Sequence, residues 1–160
     1  MVFLLQKDYE HALNFLNHYR DHYSGTEFAT SLSIDFLLRQ GQEKEALQLG
    51  LADTPQWAGY DMVLAYLRHK SLTEINALAA KLQASDDPET NYLSAGHLAY
   101  CGQTDAALQM LRRAIKGNYC SYPAIDSDPF LESLRAKPEF AEIRAAAIQC
   151  QKNFAWQRGQ

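Results

Sequence analysis

The chain has 160 residues, the usual size of one compact domain, so we expect a single domain or one array of repeats. Its 15 Lys and Arg against 19 Asp and Glu give a net charge of −4 at pH 7, which argues against binding nucleic acid through clustered cations. Hydrophobic residues make up 47% of the chain, which excludes a wholly disordered protein, and no apolar run approaches the roughly 18 residues of a membrane span.

Cysteine usage and the start of the chain both indicate a reducing compartment. Cys101, Cys120 and Cys150 are few, odd in number and widely spaced, which predicts neither a disulfide framework nor a zinc module. We expect Cys101 and Cys120 to be small buried hydrophobic residues. The apolar run Met1 to Leu5 is too short for the core of a signal peptide. A cytoplasmic protein without membrane contact is the resulting prediction.

The hydrophobic pattern predicts helices along the whole chain. Apolar residues recur at three- and four-residue steps, and no segment alternates with a period of two. Glycine at 41 and 102 follows an apolar periodic stretch, as at the end of a helix, and Asp-Pro pairs at 87–88 and 128–129 are typical of helix starts. We expect helices near residues 8–22, 27–39, 43–52, 55–69, 72–83, 88–100, 104–116, 129–135 and 138–152.

Four segments of the chain look alike. Aligned on a small or apolar pivot residue, they place Ala12, Ala46, Ile75 and Ala107 in register, at separations of 34, 29 and 32 residues. The first copy keeps only its second helix, and the third has no turn glycine. Such spacing is typical of repeated helix pairs that stack to share one core.

The best copy, residues 98–102 followed by Ala107, Leu111 and Ala114, resembles the tetratricopeptide repeat (TPR) family, as does the second-best, residues 36–41 followed by Ala46 and Leu47. The family's tryptophan position holds Thr30, Gly59 and Asn91 in three of the copies. The segment 122–140 is similar to the ending of TPR regions in bacterial multidomain signalling proteins.

The resemblance implies an all-α, TPR-like superhelix in one domain, residues 1–160. About three and a half helix pairs would occupy residues 1–116, and residues 117–160 would be capping helices and a tail. Four residues of these capping helices would face inward: Phe130, Leu134, Phe140 and Ile143. At the other end, residues 3–5 would form a helix stub, adjoin a longer parent protein or be covered by a second copy.

Candidate catalytic and metal-binding residues are scarce. The chain has no glycine-rich phosphate loop and no GxSxG, HExxH or CxxC motif, so we predict no enzyme and no cofactor. His11, His18 and His22 lie along one face of the first helix, and the last two have the i, i+4 spacing of a metal-chelating pair. A solvated face with chance histidines explains the same pattern, and we predict no metal site.

The resemblance also implies a concave groove, lined by the first helix of each pair, that binds a protein or peptide. Aromatic and arginine side chains are common in binding hot spots, and Arg39 and Arg68 hold equivalent places suited to a partner carboxylate. Alternatively, Trp57, Tyr60 and Tyr92 pack between repeats. The predicted groove residues are Phe28, Asp35, Arg39, Trp57, Tyr60, Arg68, Tyr92 and Tyr100.

Two further functions compete with a groove receptor. The chain is a candidate for self-association as a homodimer, through its apolar start or through Phe154 and Trp156 near its end. It is also a candidate for the scaffold or sensory part of a larger bacterial signalling protein, a kinase or a transcriptional regulator. None of these functions involves nucleic acid.

Overall fold

The structure, a computed structural model, describes residues 8–23, 27–53 and 59–158, with side chains up to Phe154. In these ranges every regular element is helical, which confirms the all-α prediction. The elements are α1 (Tyr9–His22), α2 (Glu27–Arg39), α3 (Glu43–Ala52), α4 (Tyr60–Leu67), α5 (Leu72–Ala79), α6 (Pro88–Tyr100), α7 (Thr104–Lys116), α8 (Tyr122–Ser127), a 3₁₀ helix (Pro129–Leu134) and α9 (Pro138–Arg158).

The predicted helix boundaries agree with the structure for α2, α3, α6 and α7. The helix predicted near 55–69 is wrong at Gly59, whose left-handed φ of 104° ends the turn before α4. Residues 54–58, including Trp57, lie outside the described residues, as do residues 3–5.

Two differences between the predicted and the observed helices lie in the C-terminal part of the chain. The short helix α8 was not predicted, because six residues with Pro123 near the start carry too little periodicity to be recognised. Helix α9 runs to Arg158 rather than 152, since no proline or glycine interrupts the sequence between Pro138 and Gly159.

The same turn ends four helices. In each, a backbone N–H bonds the carbonyl five residues earlier, and a left-handed residue precedes the donor, as in a Schellman motif. His69, with φ of 53°, has this role in the copy that lacks the turn glycine. The four left-handed residues are Gly41, His69, Gly102 and Asn118.

The chain divides into two compact units, Met1–Ile75 and Asn76–Gln160. In the first unit α1 packs on α2, and α2 packs on α3 across a three-residue turn. The pivot residues Ala12 and Ala46 are buried there, so that helices cross closely at these positions. Gly50 also allows close packing, because a Cβ atom would come within 2.5 Å of the Leu64 side chain.

In the second unit, α6 and α7 form a hairpin around the buried pivot Ala107. The 3₁₀ helix packs on both, and Gly96 makes room for the Phe130 ring, whose Cδ2 would lie 3.2 Å from an added Cβ. Helix α9 packs on α7 and α8. The four residues predicted to face inward are buried: Phe130, Leu134, Phe140 and Ile143.

Candidate functional site

Three of the predicted groove residues form a polar cluster inside the first unit. Arg39 Nη1 lies 3.3 Å from Asp35 Oδ2, and the two side chains are only 2% and 5% exposed. The Tyr60 hydroxyl donates to Asp35 Oδ1 at 2.9 Å and to the Ser31 carbonyl at 2.8 Å. Arg39, which we expected to hold a partner's carboxylate, therefore holds the carboxylate of Asp35 four residues earlier on the same helix.

The electrostatics of this cluster keep Tyr60 in its neutral form. Burial raises the pKa of Tyr60 well above its ordinary value of 10.0, and the negative charge of Asp35 raises it further. The hydroxyl consequently stays a hydrogen-bond donor at physiological pH, and its role is to join α4 to α2.

Two other predicted groove residues of the first unit lie at its surface. Phe28, in the first turn of α2, is 52% exposed. Arg68, the residue that follows α4, is also exposed. A partner meeting the first unit at the predicted groove residues would therefore contact Phe28 and Arg68.

In the second unit Tyr92 is buried, with 1% of its surface exposed. Its hydroxyl donates to Asp128 Oδ2 at 2.6 Å, and its ring stacks on Tyr119 with 4.5 Å between ring centres. Asp128 also caps the 3₁₀ helix, since its Oδ1 accepts a bond from the backbone N–H of Phe130. Tyr100 is half-buried against the same phenylalanine, with ring centres 5.1 Å apart.

The burial of Tyr60 and Tyr92 favours the alternative interpretation, in which aromatic residues at these positions pack inside the protein. An anchoring role would require a partner to reach side chains that the solvent barely reaches. Hydrophobic spacing alone does not distinguish the two roles, since it shows which residues share one face of a helix but not whether that face is covered.

A disulfide joins Cys120 to Cys150, with 5.1 Å between their Cα atoms, so Cys120, which we expected to be a small buried hydrophobic residue, is paired instead. Cys120 follows the left-handed turn at Asn118, and α9 brings Cys150 beside it after 30 residues. The pairing removes the argument from cysteine usage for a reducing compartment. Cys101 is buried as expected, and burial raises the pKa of its thiol to about 12, which makes it unreactive.

Three surface clefts of the second unit lie near this disulfide. The first, of about 660 Å³, lies between α7 and α9, and its lining combines apolar and amide side chains. It is lined by Ile115, Asn118, Cys120, Ala146, Gln149, Cys150, Asn153 and Phe154. A cleft of about 340 Å³ adjoins it at Ile115 and Ala146, and a cleft of about 440 Å³ at Asn118 and Phe154. These amides were not predicted from the sequence, because exposed Asn and Gln residues carry no periodic signal.

The histidine stripe lies on α1 as the spacing predicts, but one ring nitrogen of His11 and one of His22 bond to residues of the helix or its N-cap. His11 Nδ1 lies 2.7 Å from Asp8 Oδ1, and this hydrogen bond raises the pKa of His11 above its ordinary value of 6.5. His22 Nδ1 bonds the His18 carbonyl at 2.8 Å. In the part of the chain that the structure describes, no group of three His, Cys, Asp or Glu side chains is placed to hold a metal ion.

No helix among the described residues is long and apolar enough to cross a membrane. Neither a model of a known protein family, nor a curated protein, nor a solved structure matches this chain. The geometry of the two units therefore provides the evidence for the function.

Proposed function

We propose that this chain is a non-enzymatic binding module for a protein or peptide, built as a TPR-like array of helix hairpins. The observation that supports the array is the repeated Schellman turn at Gly41, His69 and Gly102, each followed by a helix with a buried pivot residue. These three copies thus share the same turn, whatever their departures from the family's tryptophan position. No metal and no cofactor forms part of the proposal.

The candidate binding residues of the first unit are the exposed Phe28 and Arg68, and the buried polar cluster supports them indirectly. The bonds among Asp35, Arg39 and Tyr60 tie α4 to α2, on which Phe28 stands. A surface held rigid in this way loses little conformational entropy when a partner binds, which favours affinity. An exposed aromatic ring and an arginine are also the residue types that dominate binding hot spots.

Affinity capture from a lysate of the source organism tests this proposal. The double variant Phe28→Ser, Arg68→Ala is compared with Leu51→Ser, Lys44→Ala, which removes an equally exposed apolar residue and a cation from α3. We expect recovery of the partner to fall at least tenfold with the first variant and to stay within twofold with the second. Equal recovery by both variants contradicts the groove surface.

Self-association is a second candidate, favoured by the exposure of Phe15 on α1 and of Tyr23, the residue that follows this helix. Large exposed aromatic side chains are typical of a surface that another chain covers. Light scattering over a range of concentrations measures the mass, and Phe15→Ser should reduce it to that of a monomer. A mass that corresponds to one chain at every concentration contradicts this candidate.

The predicted cytoplasmic location is a separate proposal, against which the Cys120–Cys150 disulfide stands, and it has its own test. Disulfides persist in oxidising compartments and are rare in the cytosol, where thiols are kept reduced. Alkylation of whole cells before lysis should therefore trap Cys120 and Cys150 as thiols if the protein is cytoplasmic. Recovery of the intact disulfide contradicts that location.

A further inference from the structure

The three clefts of the second unit lie in succession along α9, since each shares lining residues with the next, and together they are called the channel below. None of their lining residues belongs to the first unit. The cleft of about 340 Å³ lies beside Glu142 and Ala146, and the cleft of about 660 Å³ extends from Ala146 to Phe154. The cleft of about 440 Å³ continues past Phe154 towards the start of α6. From Glu142 to Phe154 the helix rises about 18 Å, the length of five or six residues of extended chain.

The middle of the channel is uncharged. None of the residues that line the 660 Å³ cleft ionises, because its two cysteines are joined in the disulfide. Ile115, Ala146 and Phe154 supply apolar surface, and Phe154 is an exposed large aromatic residue. This cleft therefore favours a segment whose middle is uncharged and has apolar side chains.

Amide side chains at the edge of this cleft match a peptide backbone. Gln149 Nε2 donates to Asn153 Oδ1 at 2.8 Å. The side-chain oxygen of Gln149 then remains as an acceptor, and the NH₂ group of Asn153 remains as a donor. Asn118 provides a further amide on the opposite wall, after α7. An extended backbone presents the complementary N–H and C=O groups at regular intervals.

The two ends of the channel carry opposite charge. At one end the lining has two cations, Arg112 and Lys116, and one anion, Glu142. Arg112 Nη2 lies 4.0 Å from Glu142 Oε2, and this ion pair is exposed and therefore weak. At the other end Asp87 and Glu89 are the only ionisable side chains in the lining besides Tyr119. Hydrogen bonds from Thr90 lower the pKa of Asp87, so this carboxylate stays ionised at neutral pH.

We propose that the channel along α9 binds an extended peptide segment of about six residues, with an acidic end beside Arg112 and Lys116, an apolar middle over the Cys120–Cys150 disulfide, and a basic end beside Glu89. Charge complementarity at both ends selects the partner and the amides hold its backbone. The site is independent of the groove proposed above, since it uses no residue of the first unit.

Selection of displayed random hexapeptides on the immobilised full chain tests this inference, followed by fluorescence anisotropy with the enriched peptides. We expect acidic residues to be enriched at one end, apolar residues in the middle and basic residues at the other end. Glu89→Lys should abolish the preference for the basic end alone. Enriched peptides without this charge asymmetry, apolar residues at helical spacing, or no enrichment at all would each overturn the proposal.

A matched pair of variants locates the site. Ala146→Arg places a long side chain in the channel, whereas Ala145→Arg makes the same change at an equally exposed neighbour outside the lining. Arginine is a good helix former, so both variants should fold, which circular dichroism checks. We expect peptide affinity to fall at least tenfold for Ala146→Arg and to stay within twofold for Ala145→Arg, while equal affinities refute the site.

The Phe28→Ser, Arg68→Ala variant separates this inference from the proposed function. It should bind the selected hexapeptides as tightly as the unaltered chain, even where it has lost the partner captured from lysate. A loss of hexapeptide binding in this variant would contradict an independent channel.

Discussion

Both units bury a tyrosine whose hydroxyl donates to an aspartate, but the two aspartates belong to different kinds of local structure. In the first unit, Asp35 lies within α2, and the buried Arg39 one turn later balances its charge. In the second unit, Asp128 precedes the 3₁₀ helix and accepts the N–H of Phe130 at its start. The first carboxylate is thus neutralised by a side chain, and the second is stabilised by a helix terminus.

This difference determines how much stability each unit loses when the aspartate or its partner is replaced. A buried ion pair depends on both partners, because removal of one leaves an uncompensated charge inside the protein. A capping carboxylate instead contributes one or two hydrogen bonds at the end of a helix. The second unit has, in addition, a covalent link between the segment after α7 and α9.

The largest expected effect is that of Asp35→Ala, which breaks the pair in the first unit. It should lower the free energy of unfolding by about 3–5 kcal/mol, because the buried Arg39 guanidinium loses its counter-charge. Urea unfolding followed by circular dichroism measures the loss. Asp35→Ala combined with Arg39→Met should recover much of it, and a cost below about 1 kcal/mol for the single variant would contradict an essential buried charge pair.

Removal of the disulfide should have the next largest effect and should be confined to the second unit. Cys120→Ser with Cys150→Ser opens a loop of 30 residues and should cost about 3–4 kcal/mol through the greater entropy of the unfolded chain. Hydrogen exchange with mass spectrometry should show faster exchange in α7 and α9 and unchanged exchange in α2. Cys101→Ala is the control, since it removes a cysteine and keeps the disulfide, and faster exchange in α2 would contradict the prediction.

A hydroxyl deletion in each unit compares the two tyrosines directly. Tyr92→Phe should cost about 1.5–3 kcal/mol, because its hydroxyl donates to the Asp128 carboxylate at 2.6 Å. Tyr60→Phe should cost less, about 1–2 kcal/mol, since Tyr60 shares its proton between two acceptors and Asp35 keeps its bond to Arg39. Urea unfolding of both variants ranks them, and a larger cost for Tyr60→Phe would reverse the comparison.

Several of the helix ends that were predictable from sequence have local signals. The ends of α2 and α6 are marked by Gly41 and Gly102, and the start of α6 by Asp87, whose side chain accepts the N–H of Glu89 and of Thr90. A cap or a left-handed turn depends on a few neighbouring residues, so the sequence reveals it. The four aligned small or apolar residues of the sequence are likewise all buried: Ala12, Ala46, Ile75 and Ala107.

The remaining features depend on residues far apart in the chain. The pairing of Cys120 with Cys150 requires α8 and the 3₁₀ helix to return α9 to the end of α7, and no local pattern specifies that path. Likewise, the partner of Tyr92 is Asp128, which lies 36 residues away. The pair Asp35 and Arg39 did carry a local clue, since i, i+4 spacing of opposite charges on a helix favours their contact over binding of an external carboxylate.

The smallest expected effect concerns an acid-sensitive contact in the second unit. Arg144 Nε donates to Asp126 Oδ1 at 2.6 Å, which ties α9 to α8, and this bond lowers the pKa of Asp126 below its ordinary value of 3.8. A carboxylate whose pKa is lower in the folded than in the unfolded state stabilises the protein above its ordinary pKa, and this contribution disappears as the pH falls through the lowered value.

Asp126→Asn should therefore reduce Tm at pH 7 and have little effect near pH 2. Arg144→Gln should show the same pH dependence, because either change removes the same bond. Thermal unfolding at both pH values measures the difference, and a difference of equal size at pH 2 would show that Asp126 stabilises the unit by some means other than its charge.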